Sequence, residues 1–181
     1  MIPKEDGRLY MFAESIRVDA LITTGRTQEA SARFDSLTFL YDQFGDPFVQ
    51  LRRRFTAGRL LEAIGRFDDA DALFAEVVAA DLEQRSNKSY FLDQVYMVGS
   101  FFRRGDLSRA AEVCRQSLDA LSVMELDEAS EAQMRKLWAS IAAKLAGDRI
   151  TLSALTAARQ YVKTQWRVVG GDALLVKESA V

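Results

Sequence analysis

The chain has 181 residues, of which 49% are hydrophobic and 28% charged, with a formal charge of -2. A chain of this length and composition can bury its own core, so we expect a folded domain that needs no disulfide or structural metal. The near balance of 24 basic and 26 acidic residues excludes a global field that would gather nucleic acid or anionic lipid.

The missing residue types argue against catalysis. The chain contains no histidine, which excludes nucleophiles activated by an imidazole and the common zinc sites. Gly170-Gly171 lacks the lysine and the strand-to-helix setting of a phosphate loop. We therefore predict a protein that is not an enzyme and has no cofactor or metal.

Cysteine use and the apolar pattern indicate the compartment. Cys114 is the only cysteine, so no intramolecular disulfide can form, which suits a reducing compartment. The first ten residues carry four charged side chains, unlike a signal peptide, and no apolar run approaches the roughly 20 residues of a membrane span. We expect a cytoplasmic protein.

Hydrophobic periodicity and turn signals predict an all-α domain. The eight expected helices lie at about residues 10–24, 28–44, 48–64, 68–84, 90–104, 108–123, 128–146 and 151–167. Gly45-Asp46-Pro47 is a strong helix stop and restart. Residues 1–9 are interpreted as an N-terminal extension, 10–167 as the helical domain and 168–181 as a C-terminal tail.

The organising feature is a repeat of 40 residues, marked by Gly25, Gly65 and Gly105. Each copy has an alanine five residues after the glycine and a seam residue four further on: Ala30 and Phe34, Ala70 and Phe74, Ala110 and Cys114. The residue just past a helix end often adopts the left-handed conformation, which glycine favours. Asp68 and Ser108 are predicted to cap the next helix. Each copy is thus predicted to be an antiparallel helical hairpin.

A fourth, irregular hairpin is predicted after residue 127. Its first helix would bury one face, formed by Trp138, Ile141, Ala142 and Leu145. Its second helix repeats the alanine pattern at Ala154, Ala158 and Tyr161. Terminal repeats in stacked arrays are often atypical, because one side has no neighbour.

This skeleton resembles the tetratricopeptide repeat family over roughly residues 11–165. The matching positions are Trp138, Ala57-Gly58, Leu61, Gly65, Ala70 and Phe74. The period of 40 exceeds the usual period of about 34, so the chain is similar to the longer-helix variety. The resemblance implies a right-handed α-α superhelix of about four hairpins, whose first helices line a concave groove for a peptide or a partner helix.

The resemblance also implies which side chains face that groove. The candidates for partner binding are Arg52, Phe55, Arg59 and Glu62 in the second repeat, and Leu92, Val95, Gly99, Phe102 and Arg103 in the third. The spacing independently puts the first four on one helical face. Arg52 and Arg59 would grip an acidic group of a partner. Arginines on a solvated helix, balanced by nearby acids, are the favoured alternative.

Other conspicuous residues have structural interpretations that we favour over functional ones. Cys114 is predicted to be a packed thiol rather than a reactive one. Asp68, Asp69 and Asp71 are predicted to stabilise a helix start rather than bind a metal. Most of the aromatic residues are expected to pack between helices: Phe12, Phe39, Tyr41, Phe44, Phe48, Tyr90, Phe91, Tyr96, Phe101 and Phe102. Of Phe101 and Phe102, which point in different directions, one is expected to face the groove or a partner.

Two functions follow as hypotheses. The first is a non-catalytic adaptor or scaffold that binds a protein or peptide, and the second is a regulatory sensor that binds a signal peptide and controls a transcription or defence effector. Nucleic acid and membranes are not expected partners. The tail, Val168–Val176, is predicted to cap the last hairpin; extension into another subunit of a homo-oligomer is the alternative.

Overall fold

The computed structural model describes residues 4–43, 46–124, 126–147 and 149–165. All regular secondary structure in these ranges is helical, which confirms the all-α class. The helices are α1 (Lys4–Thr23), α2 (Thr27–Ser36), α3 (Thr38–Gln43), α4 (Pro47–Ala63), α5 (Phe67–Glu83), α6 (Asn87–Arg103), α7 (Leu107–Ala120), α8 (Glu128–Ala146) and α9 (Leu152–Gln165). The tail lies outside the described residues, so its predicted roles stay predictions.

The nine described helices follow the order of the eight predicted ones, with two main differences. Helix α1 begins at Lys4, six residues before its predicted start. The predicted second helix is divided at Leu37, whose N–H donates to Phe34 O at 3.0 Å, an i→i−3 bond that tightens the turn. Ser36 Oγ also donates to Arg33 O, which diverts that carbonyl from the helical ladder.

The three repeat glycines have the left-handed conformation that their position predicted. Gly25, Gly65 and Gly105 have φ values of +75°, +81° and +75°. In each turn the N–H of the following residue donates to the carbonyl five positions earlier, as Arg66 N does to Leu61 O at 2.9 Å. This hydrogen bond closes the end of a helix in a Schellman motif, so the same glycine turn ends the first helix of three hairpins.

The predicted caps of the second helices were placed two residues too late. Helix α7 begins at Leu107, and its cap is Asp106, whose carboxylate accepts from Arg109 N at 3.0 Å, rather than Ser108. Helix α5 begins at Phe67, so Asp68 lies in its first turn. The Schellman turn is so tight that the next helix starts two residues after the glycine. The restart at Asp46 is confirmed, because its side chain accepts from Phe48 N and Val49 N.

Arg85 has the same left-handed backbone conformation as the three repeat glycines. Its φ is +55°, and Ser86 N donates to Asp81 O at 2.8 Å as in the glycine turns. A side chain in this conformation costs about 1 kcal/mol or more. We expect Arg85→Gly to have a free energy of unfolding about 1 kcal/mol above that of Arg85→Ala, measured by urea denaturation. Both variants remove the guanidinium, so equal stabilities would contradict the backbone cost.

Contacts within the chain divide it into two compact units, Met1–Ala80 and Asp81–Val181, which we call unit 1 and unit 2. In unit 1, α1 packs against α2 and α4, α2 also packs against α4, and α3 contacts both α2 and α4. The core of unit 1 contains Met11, Val18, Ala30, Leu37, Tyr41, Val49 and Leu60. The first helix of one hairpin therefore lies directly against the first helix of the next.

The hairpin of α4 and α5 requires a small residue at its crossing. A Cβ atom added to Gly58 would lie 2.7 Å from Cε1 of Phe74, and the Phe55 and Phe74 rings are 5.4 Å apart. Contacts below 3.0 Å force neighbouring groups to move. Gly58 thus lets the two helices approach around Phe74, which the repeat pattern predicted as the seam residue.

Unit 2 contains α6, α7, α8 and α9, and its last helix packs against its first. Helix α6 packs against α7 and α9, and α7 packs against α8. Across α6 and α8, the Phe91 and Trp138 rings are 6.1 Å apart. The predicted buried face of α8 is confirmed, although Ala142 is only half-buried. Among the α9 side chains that the structure describes, Leu155, Ala158 and Val162 are buried, so of the three predicted seam residues only Ala158 is buried.

Candidate functional site

The predicted groove residue Phe55 lies in the core of unit 1. Its side chain is 1% exposed, with the Phe74 ring on one side and the Arg52 guanidinium 5.1 Å from its ring centre. Glu62, one turn from Arg59 on the same helix, is half-buried. The face of α4 that the spacing predicted is real, but this face is largely covered within unit 1.

The two predicted arginines bind a carboxylate of the same unit. Arg59 contacts one oxygen of Asp19 at 2.6 Å, and Arg52 contacts the other at 3.2 Å. Arg59 also donates to Thr23 Oγ1 at 3.2 Å. The Arg59 side chain is 8% exposed and that of Arg52 24%. This Asp19 network joins α1 to α4, and the sequence pattern missed it because Asp19 belongs to a different hairpin.

The neighbouring arginines point elsewhere, as consecutive residues of a helix must. Arg53 contacts Asp42 at 2.8 Å, and Arg54 lies 4.0 Å from Glu76. Including Asp19, the three arginines have acidic partners on α1, α3 and α5. Arg52, Arg53 and Arg54 therefore do not form one basic patch.

The predicted groove face of α6 is the face on which α9 packs. Val95 is buried, and a Cβ added to Gly99 would lie 3.7 Å from Cδ1 of Leu155 on α9. Leu92 and Phe102 are half-buried, and Arg103 is exposed with its guanidinium 5.6 Å from the Tyr96 ring centre. Phe102 is more exposed than its buried neighbour Phe101, so the two do point apart.

Cys114 has the environment of a packed thiol. Its side chain has no exposed surface, and burial raises the pKa of the thiol to about 12. Because the thiolate is the nucleophile, a pKa this high keeps the group unreactive at neutral pH. Asp69, in the first turn of α5, contacts Arg66 at 2.7 Å. Within the described ranges, no three acidic or cysteine side chains are grouped to hold a metal ion.

An exposed aromatic surface lies between α1 and α4 and was not predicted from the sequence. Phe12 is 45% exposed and Phe48 is 40% exposed. Together they line a shallow depression whose other walls are Met11, Ser15, Tyr41, Val49 and Arg52. We call this surface the aromatic depression. Phe12 and Phe48 were expected to pack between helices, and nothing in their spacing distinguishes them from buried phenylalanines.

The depression combines apolar surface with a guanidinium and with buried polar groups beneath it. Ser15 Oγ and Tyr41 Oη are 3.2 Å apart, and burial raises the pKa of the Tyr41 hydroxyl. Arg52 is oriented by Asp19. The floor is therefore fixed by hydrogen bonds, whereas the two phenylalanines at the surface keep much of their area in water.

Comparison with known proteins adds no relative: the chain matches no protein-family model, no curated protein and no solved structure. Among the described helices, none combines the length and the apolar character that crossing a bilayer requires.

Proposed function

We propose that this chain is a non-catalytic interaction module of tetratricopeptide-like hairpins that docks a protein partner, as an adaptor or scaffold does. The stacking of α1 and α2 against α4 supports the repeat interpretation for unit 1. We propose a cytoplasmic setting for this activity, which the single cysteine favours because no intramolecular disulfide is needed.

The observation that carries the proposal is the aromatic depression. Burying a phenylalanine side chain fully is worth roughly 1.5–3 kcal/mol, so leaving Phe12 and Phe48 nearly half in water sacrifices stability unless a partner covers them. Exposed apolar surface of this kind marks interaction sites, and aromatic residues with arginine are enriched where binding energy concentrates. The depression contains exposed phenylalanines and an arginine.

The depression also favours a partner of defined chemistry. Its exposed lining is apolar and its volume is only about 10 Å³, which suits an aliphatic or aromatic side chain that lies against it, as on one face of an amphipathic helix. Arg52 lines the depression and Arg53 lies over the Tyr41 ring, but Asp19 and Asp42 already pair with these two guanidiniums. These pairs balance the charge of both arginines, so the partner segment we propose is defined by its apolar anchor.

The test is recovery of partners from an extract of the source cells, using the full chain and surface variants as bait. Phe12→Ser with Phe48→Ser should lose a partner that the wild-type chain retains. Phe39→Ser is the matched control, because Phe39 is 69% exposed and does not line the depression. The purified partner should then bind the double variant at least about tenfold more weakly in calorimetry.

Two outcomes would overturn the proposal. One is a set of captured proteins that is the same for the wild-type chain, the double variant and the Phe39 control. The other is a purified partner whose affinity is equal for all three, since then the depression makes no contact. Circular dichroism of the variants checks that the helices are retained, which is expected because both phenylalanines are at the surface.

A further inference from the structure

A second surface of unit 1 is a cleft of about 380 Å³ between α1 and α2. Its lining consists of Arg17, Ala20 and Leu21 of α1, Thr24 and Arg26 of the following turn, and Glu29 and Arg33 of α2. Ala20 and Leu21 form the apolar part of the lining, and the three arginines form most of its polar part. The volume lies in the range of roughly 300–1,000 Å³ that small-molecule sites occupy.

The charge of this cleft is unbalanced. Three guanidinium groups line it together with one carboxylate, that of Glu29, and a second carboxylate, Glu14, is near enough for Arg33 and Arg17 to lower its pKa. Three positive charges therefore face two negative ones. Arg17 makes no hydrogen bond or ion pair with any residue that the structure describes. Arg33 donates to Glu14 through Nε at 2.6 Å, and that carboxylate lies outside the lining with a side chain only 10% exposed. The lining therefore concentrates positive charge in a chain whose formal charge is -2.

The arginines differ in how firmly they are held. Arg26 binds Glu29 in bidentate fashion, with Nε to Oε1 at 2.7 Å, but both side chains are more than half exposed. Exposed pairs of this kind contribute little to stability, so a ligand can take the place of Glu29. Arg33 is oriented by the nearly buried Glu14. The Arg33 guanidinium is thus fixed and that of Arg26 is exchangeable, whereas that of Arg17 acts on Glu14 at a distance without a direct bond to a described residue.

We propose that this cleft binds a small molecule through a phosphate group, a site separate from the aromatic depression. A phosphate carries a charge near −2 at neutral pH and three acceptor oxygens, which match planar guanidinium forks from several directions. A ligand with a single carboxylate would only replace Glu29 as the partner of Arg26. A phosphate dianion is attracted by all three arginines. The apolar stretch at Ala20 and Leu21 accommodates the non-ionic body of the ligand.

The probe for this site is inorganic pyrophosphate, titrated into the full chain by calorimetry at constant ionic strength. Saturable binding with one site per chain is expected. Arg17→Gln should weaken it by about tenfold, because a charge-assisted hydrogen bond is lost. Arg54→Gln is the matched control, since it removes the same charge from an arginine that is 53% exposed and outside the cleft. We expect this control to change affinity less than about twofold.

A variant that is expected to tighten binding distinguishes a specific site from non-specific electrostatic attraction. Glu29→Gln removes the competing carboxylate and leaves Arg26 to the ligand, so it should tighten pyrophosphate binding several-fold. The proposal is overturned by titrations with no saturable heat, by equal weakening in the Arg17 and Arg54 variants, or by weaker binding in the Glu29 variant.

One further arm identifies the source of the phosphate. A peptide carrying phosphoserine should bind no more tightly than pyrophosphate if the ligand is a small molecule. Affinity for the peptide that is more than about tenfold higher would assign the cleft to a modified protein and overturn the proposal. The Phe12→Ser, Phe48→Ser variant should keep its pyrophosphate affinity, so failure of either surface is distinguishable from failure of the other.

Discussion

Replacing Phe55 with alanine is expected to lower the free energy of unfolding by about 4 kcal/mol. The side chain is 1% exposed and packs between the Phe74 ring and the Arg52 guanidinium, so truncation leaves a cavity that these neighbours fill only in part. Urea denaturation followed by circular dichroism measures the loss. The transition that belongs to unit 1 should move to lower denaturant.

Phe12→Ala is the matched control, because it makes the same chemical change on a side chain that is 45% exposed. We expect it to cost less than about 1 kcal/mol, since much of the ring already lies in water. A Phe55→Ala variant that keeps wild-type stability and loses a partner would contradict the core assignment. That result would instead support the groove position implied by the resemblance to tetratricopeptide repeats.

The turns were predictable because their cause is local. A glycine just past a helix needs only its own backbone and the carbonyl five residues back, so Gly25, Gly65 and Gly105 could be interpreted without knowing the rest of the fold. Arg85 makes the same turn without a glycine and so gave no signal. A helix end was therefore predictable where the residue at the turn is a glycine, which favours a positive φ, and not where it is another residue type.

The covered faces were not predictable, because periodicity defines a face without saying what lies against it. Arg52, Phe55 and Arg59 do share one side of α4. Only the fold shows that this side contacts Asp19 of α1 and Phe74 of α5. The seam of α9 was displaced for the same reason: Leu155 and Val162 are buried because α6 lies beside them, and no repeat pattern encodes that neighbour.

The two surfaces proposed to bind ligands were also beyond sequence reasoning. The aromatic depression depends on Phe12 and Phe48, which are 36 positions apart and belong to different hairpins. The phosphate cleft depends on three arginines whose spacing in the sequence matches no motif. Each surface exists only after α1 has packed against a second helix.

The Asp19 network gives the second large effect: Asp19→Asn is expected to lower the free energy of unfolding by about 3 kcal/mol. The asparagine keeps the size of the side chain but removes the charge that holds two guanidiniums at 2.6 Å and 3.2 Å. Arg59, with a side chain only 8% exposed, would then lose its 2.6 Å contact with a charged carboxylate while it stays nearly buried. Urea denaturation measures the difference.

Asp42→Asn serves as the control, because it removes a carboxylate from Arg53 in a pair whose acid is 65% exposed. Water replaces that partner readily, so the cost should stay below about 1 kcal/mol. If Asp19→Asn also cost less than this, Arg59 would have to be solvated or paired elsewhere, and the network would not join α1 to α4. A further variant, Asp19→Asn with Arg59→Met, should recover part of the loss, since the methionine leaves no buried charge to compensate.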